Sequence, residues 1–278
     1  MKKVFSYLKL TRPQNNFIAA ISVLVGAAIS GEVESWGKVF FACISAFFIS
    51  AGGNSINDFF DLEIDRINKP NRPLPRGEIS PFSALRFSIS LFLLGILLSF
   101  WVKPLSVLVA FVACGLLIVY SSHFKRKLLW GNLTVSLVSA LAFFYGGIAT
   151  RDFRLSLIPA AFALLFHLGR EVLKDVEDLK GDTFSGASTL PIRLGVDFSL
   201  GFCTLVFSLL MVLTVFPYIF HIFSFLYLLL VIMGVDLVII YVIWSMWHNP
   251  SPSNLHRLSN LLKADMLLGL ATIYVGKL

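Results

Sequence analysis

Residues 36–65 read WGKVFFACISAFFISAGGNSINDFFDLEID. From 36 to 56 the only charge is Lys38, and a helix needs about 20 apolar residues to cross the roughly 30 Å hydrocarbon core of a bilayer. The run then turns acidic. Asp58, Asp61 and Asp65 follow at i, i+3 and i+7, which puts three carboxylates on one helical face, with Asn54 one turn earlier on the same stripe. The pattern returns 117 residues on, where a second apolar run ends REVLKDVEDLKGD, residues 170–182. Asp175, Asp178 and Asp182 repeat the spacing, and Glu171 stands where Asn54 did. The reading is one domain over residues 1–278 with a pseudo-repeat of acidic motifs at 54–65 and 171–182.

The remainder of the chain is of the same kind. Of 278 residues 57% are hydrophobic and 14% charged, with a mean hydropathy of +0.82. A soluble domain carries about 25% charged residues, so an ordinary globular enzyme, a disordered chain and a collagen-like chain are all excluded. The net charge of +7 does not point to nucleic acid, because no basic run interleaved with aromatics occurs. Cys43, Cys114 and Cys203 lie inside apolar stretches without a CxxC pair and read as small hydrophobes. The opening MKKVFSYLKLTRPQNN imitates a signal peptide, but the succession of apolar runs after it makes it the approach to a first span.

Long apolar segments near 16–31, 36–56, 81–101, 104–121, 131–149, 153–173, 197–217, 222–247 and 258–276 predict nine helices. The fold class expected is all-α, a polytopic membrane protein with nine transmembrane helices around a central cavity open to the cytoplasmic side. With the N-terminus cytoplasmic, 18 Lys and Arg fall inside, and Lys38, Lys103, Arg151, Arg154 and Lys277 fall outside. The positive-inside rule then places a multi-pass protein in the cell membrane with its C-terminus outside. All five tryptophans sit at or near span ends, as an interfacial belt requires. The long charged connections follow the second and sixth spans, so function is sought on the cytoplasmic side.

Like charges along one face repel unless something positive sits there. Mg2+ takes oxygen ligands and is commonly held by one or two carboxylates plus substrate phosphates. Four spans separate the two clusters, so both emerge on one side and can hold a diphosphate through bridging Mg2+. Six carboxylates, two Mg2+ and a diphosphate leave about −5, and Arg66, Lys69, Arg72, Arg76, Lys125, Arg126, Lys127, Arg170 and Lys174 are available to offset it. No Gly-rich phosphate loop, Ser/His/Asp arrangement or HExxH occurs. His167 lies three residues before Arg170 and reads first as a packed histidine. His123, His221, His248 and His256 read as loop or interface residues.

Three stretches carry a resemblance. GGNSINDFFDLEIDRINKPNRPLPRGEIS and REVLKDVEDLKGDTFSGASTLPIRLG resemble the two aspartate-rich motifs and loops of UbiA-type intramembrane prenyltransferases. YSSHFKRKLLWGN, beginning at Tyr120, resembles that family's segment between the fourth and fifth spans, and TRPQNNFIAAISVLVGA its first span. The resemblance implies Mg2+-dependent transfer of a prenyl group from a polyprenyl diphosphate. It carries the family's metal-diphosphate ligands onto Asn57, Asp58, Asp61, Asp65, Asp175, Asp178 and Asp182, and its basic phosphate ligands onto Arg66, Lys125 and Lys174. Within the family the NKPNRPLPRGEIS loop looks most like the archaeal enzymes of ether-lipid synthesis that add a second geranylgeranyl chain to the free hydroxyl of geranylgeranylglyceryl phosphate.

The partners expected are a polyprenyl diphosphate donor, a lipid phosphate acceptor and membrane lipid, with no nucleic acid. Arg72, Arg76, Lys125, Arg126 and Lys127 are candidates for the acceptor's phosphate, and Asp65, Glu171 or the released diphosphate for the proton. Two alternatives stand beside this reading. One is prenylation of an aromatic acceptor in a quinone, haem or chlorophyll pathway. The other is an ion-coupled transporter, whose carboxylates belong near midplane on broken helices, whereas here the clusters sit at cytoplasmic span ends.

Overall fold

The computed structural model describes residues 2–277, apart from the side chains of Lys2 and Asn68. Helices start where an apolar run is opened by a residue suited to a first turn. Pro13, Pro81, Pro104 and Pro252 stand there, where a missing N–H costs nothing. Ser80 and Ser224 cap their helices by accepting the N–H of Ser83 and Tyr227.

The chain forms two compact units. The first takes residues 1–125 and 141–157. It holds α1 (Lys2–Thr11), α2 (Pro13–Ile29), α3 (Trp36–Phe60), α4 (Leu62–Asn68), α5 (Pro81–Ser99), α6 (Pro104–Val119) and the later part of α7 (Trp130–Ile148). A π-helical turn, Tyr120–Phe124, prolongs α6. The helix α3 packs on α2, α5 and α6 around Val23, Ala27, Val39, Ala42, Ile49, Phe92, Ala113 and Tyr145. Lipid offers no hydrophobic drive for helix association, so close approach of small residues and interhelical hydrogen bonds hold such helices. Both are present. A Cβ on Gly26 would strike the Phe143 carbonyl, and one on Gly146 the Val23 carbonyl. Ser45 donates to the Gly95 carbonyl at 2.7 Å and bonds the Tyr145 hydroxyl at 2.8 Å.

The second unit takes residues 126–140 and 158–278. It contains β1 (Lys127–Leu128), the start of α7, nearly all of α8 (Leu157–Glu177), α9 (Leu179–Phe184), β2 (Ser188–Thr189), α10 (Leu190–Leu194), α11 (Val196–Ile219), α12 (Phe225–Leu230), α13 (Leu237–His248) and α14 (Pro252–Gly276). A π-helical stretch, Val231–Asp236, joins α12 to α13. The strands pair in parallel, Lys127 with Ser188 and Leu128 with Thr189. In this unit α8 meets α11 at Gly169, where Phe207 fills the space a side chain would take and Cys203 Sγ donates to the Gly169 carbonyl.

Eight described helices are long and apolar enough to cross a membrane, and α2, with 17 residues, is a shorter ninth. The chain is a multi-pass membrane protein. Each predicted apolar run is a helix, with shifted ends. The sixth runs on to Glu177 rather than stopping near 173, which carries Asp175 inside the helix. The last starts at Pro252 rather than 258, because its first turns are polar. The short helices α1 and α10 and the two-residue strands were not expected, since none has the length of an apolar span, whereas α4 and α9 continue the helical faces read from the acidic spacing.

Candidate active site: two acidic segments

The first acidic segment begins where α3 ends. Asp61 is a single-residue break between α3 and α4, yet the hydrogen bonding carries through. Asp61 N–H donates to the Asn57 carbonyl at 2.9 Å and Asp65 N–H to that of Asp61 at 2.8 Å. The stripe read from the spacing therefore survives, and all three carboxylates are buried. Buried charge is tolerated only when paired. Arg72 Nη1 donates to Asp58 Oδ1 at 3.0 Å and to Asp65 Oδ2 at 2.5 Å. Arg12 also donates to Asp58 Oδ1, and Lys125 to Asp61 Oδ2. Asn57 Nδ2 adds a bond to Asp61 Oδ2 at 3.0 Å. Three carboxylates meet three cations.

Each cation arrives on an irregular piece of backbone. Lys125 comes directly after the π turn, its N–H reaching back to the Tyr120 carbonyl at 3.0 Å, and the extra residue in such a turn re-aims the side chains beyond it. Arg72 rides the proline-rich loop after α4. Arg12 sits between α1 and α2 with φ 52°, a left-handed conformation that costs a non-glycine residue about 1–2 kcal/mol. That junction is strapped to α3: Asn54 Nδ2 donates to the Thr11 carbonyl at 3.0 Å and to Asn16 Oδ1 at 3.1 Å, and Ser50 donates to Asn16 Oδ1 at 2.9 Å. Asn54 thus holds the turn that delivers Arg12.

The second segment repeats the backbone. Asp178 is the single-residue break between α8 and α9, with Asp178 N–H to the Lys174 carbonyl at 2.8 Å and Asp182 N–H to the Asp178 carbonyl at 3.0 Å. Its charges are arranged otherwise. Arg170 and Lys174 both bind Glu171, at 3.1 and 2.9 Å. Asp175 accepts from Asn132 Nδ2 at 2.8 Å. Asp178 is exposed and Asp182 half-buried. The β1–β2 pair joins residues 127–128 to 188–189, with Ser188 N–H donating to the carbonyl of the preceding Arg126 at 2.8 Å.

The other predicted cations are placed differently. Arg66 pairs with Glu63 at 3.1 Å and Arg76 with Glu78 at 3.2 Å, all four residues exposed. Lys69, Arg126 and Lys127 are exposed, and Tyr120 is half-buried in the π turn. Three site neighbours were not foreseen from the sequence: Arg12, Asn16 and Asn132. Their signals lay in TRPQNN and WGN, stretches that carry family resemblance but no acidic spacing. Two further carboxylates, Asp236 and Asp265, lie buried inside span helices, and Asp236 Oδ1 and both Asp265 oxygens lack a hydrogen bond among the described residues. His167 Nδ1 is likewise buried without a partner there.

The six aspartates and Asn57 are hard oxygen donors of the type Mg2+ takes. Among the described residues no three acidic, histidine or cysteine side chains are gathered as a closed metal cage, because Arg12, Arg72 and Lys125 hold the first stripe. The donor set fits Mg2+ all the same. This ion is usually bound by one or two carboxylates with substrate phosphates rather than by an all-protein cage, and it can replace the cations' share of charge compensation.

Comparison with known proteins bears on this arrangement. A digeranylgeranylglyceryl phosphate synthase of Methanosphaera stadtmanae is 35% identical over 272 residues, covering 98% of this chain and 99% of that one. A solved structure concerned with digeranylgeranylglyceryl phosphate synthase in membranes is also 35% identical, covers 100% of this chain and 99% of that chain, and superposes with a TM-score of 0.84. A UbiA homolog from Archaeoglobus fulgidus bound to GPP and Mg2+ shares the fold at a TM-score of 0.72 and 20% identity, over 96% of this chain and 99% of that one. The sequence pattern of the UbiA prenyltransferase family runs through residues 19–263, taking in both acidic segments, and the chain belongs to that family of prenyltransferases.

Proposed function

We propose that this prenyltransferase moves a geranylgeranyl group from geranylgeranyl diphosphate to the free hydroxyl of geranylgeranylglyceryl phosphate, giving digeranylgeranylglyceryl phosphate for ether lipids. The observation that carries the reading is the end-to-end match, 35% identical over 98% of the chain, to a relative of that name.

In this reading Asn57, Asp58, Asp61, Asp65, Asp175, Asp178 and Asp182 hold Mg2+ and, through it, the donor's diphosphate. The metal supplies charge stabilisation to the leaving diphosphate. The chain's own cations add to it: Lys125, Arg72 and Arg12 already stand at the first stripe, aimed where negative charge develops. Departure of diphosphate leaves an allylic cation at the primary carbon, and apolar span residues keep water from quenching it. The acceptor oxygen then bonds that carbon and gives up its proton, for which the released diphosphate, Asp65 and Glu171 are the candidate bases. Asp65 and Glu171, the carboxylate candidates, each already accept hydrogen bonds from cations. Exposed Arg126 and Lys127, with Arg76, are offered to the acceptor's phosphate. We place the N-terminus in the cytoplasm on the distribution of Lys and Arg.

Purified protein supplied with geranylgeranyl diphosphate, Mg2+ and either geranylgeranylglyceryl phosphate or an aromatic acid tests this directly. Product from the glyceryl phosphate alone is the expected result. Product only from the aromatic acid replaces this acceptor with the alternative one.

A further inference from the structure

The ten residues of α1 present two faces. Ser6, Leu10 and Thr11 are buried, and Leu10 and Tyr7 join a small core with Leu74, Ile79, Ala84 and Phe87. The Tyr7 ring meets Phe87 edge-on at 4.8 Å, and Ser6 donates to Glu78 at 2.6 Å. The helix is therefore docked, not a loose tail. Its other face carries Val4, Phe5 and Leu8, exposed by 66, 59 and 52%. At about 100° per residue these three fall within a single arc of about 100°. Lys9 borders the arc and lies over the Phe5 ring, 4.7 Å from its centre.

The apolar strip does not stand alone. Within the same unit Phe17, Ile21 and Leu24 of α2 are exposed, as is Phe82 at the start of α5. Arg86 lies over the Phe82 ring at 4.5 Å. Two outward phenylalanines each covered by a long cation put apolar body and charged head side by side, as snorkelling side chains do at the edge of a hydrocarbon layer. A short helix with an apolar arc bordered by lysines is the pattern of one lying in the interface plane, and basic residues beside a membrane draw it to acidic headgroups.

We propose that α1 lies on the membrane surface itself, with Val4, Phe5 and Leu8 at the headgroup–acyl boundary and Lys3, Lys9 and Arg86 on the phosphates of anionic lipids. The occupant of the exposed face is thus a negatively charged leaflet. The seat has a consequence at the first acidic segment, because α1 runs straight into Arg12, whose guanidinium binds Asp58. The helix that meets lipid is the one that positions this cation.

Nitroxide labels on Phe5→Cys and Leu8→Cys, in the full chain reconstituted into vesicles, test the seat without requiring prenyl transfer. The parent protein serves as the labelling blank, since Cys114 and Cys203 are buried and Cys43 half-buried. In vesicles containing anionic phospholipid both labels are expected to be several-fold less accessible to a water-soluble nickel chelate than to oxygen. Adding Lys3→Gln and Lys9→Gln should return them to the shallower depth found in neutral vesicles. Labels open to nickel at both positions overturn the proposal. So does a depth indifferent to anionic lipid, or spin–spin broadening that reveals a second copy covering the face.

Discussion

The segments around Asp61 and Asp178 share a backbone and differ in what surrounds it. Each is a long span helix, a single-residue break on the middle aspartate, and a short helix that keeps the i to i−4 bonding. In the first, Arg12, Arg72 and Lys125 come from three separate pieces of chain to neutralise buried carboxylates. In the second, the two cations of the same helix go to Glu171, Asp175 accepts an amide from Asn132, and Asp178 is exposed. Spacing thus fixes a stripe, while neutralisation depends on what the fold brings alongside. The first segment is compensated before any ligand arrives. In the second, Asp178 is exposed and Asp175 is held by a neutral donor, so under the proposed function a divalent ion would bind there with no guanidinium to displace.

The comparison breaks most decisively at the aspartates. Asp58→Ala and Asp175→Ala should each lower turnover by at least about 10²–10³-fold, the loss seen when one group that stabilises transition-state charge is removed, while the protein still inserts and folds. A transfer assay with normal rates from either variant would remove that segment from the site. Next comes the clamp. Arg72→Gln leaves two buried carboxylates short of a partner and should cost about 3 kcal/mol in stability, read by thermal denaturation in detergent. Mg2+ should recover part of that loss, and more of it than the parent gains.

Lys174→Gln sharpens the contrast, because Glu171 keeps Arg170; about 1 kcal/mol is expected by the same measurement. Asn132→Ala removes the amide from Asp175 and should cost about 1–2 kcal/mol, with a matching fall in turnover. The smallest effect belongs to Arg66→Gln. Its partner Glu63 is exposed, so less than about 1 kcal/mol is expected. Kinetics settles whether it binds phosphate: a marked rise in KM for the donor would restore the role that family resemblance implies.

Much of this was legible beforehand because membrane insertion is a local property. A run such as residues 104–119 has to be helical wherever it sits, since hydrocarbon satisfies no backbone polar group, and all nine apolar runs proved helical. The acidic stripes were legible for a related reason: i, i+3, i+7 spacing fixes a face within a single helix. The partners of those stripes were not. Arg66, adjacent to Asp65 in the chain, turns away to Glu63, whereas Arg12, 46 residues before Asp58, reaches it through a left-handed junction. Asn54 has the spacing of a ligand and the contacts of a strap.

From its order of residues alone, this chain determined that it spans a membrane many times and carries two matched acidic faces, because both depend on interactions within one helix turn or between one helix and its solvent. Which cation binds which aspartate, that Asn132 serves Asp175, and that α1 turns an apolar face outward were decided only by tertiary structure. Those contacts join residues far apart in the chain, and the irregular turns that deliver them leave no periodic trace in the sequence.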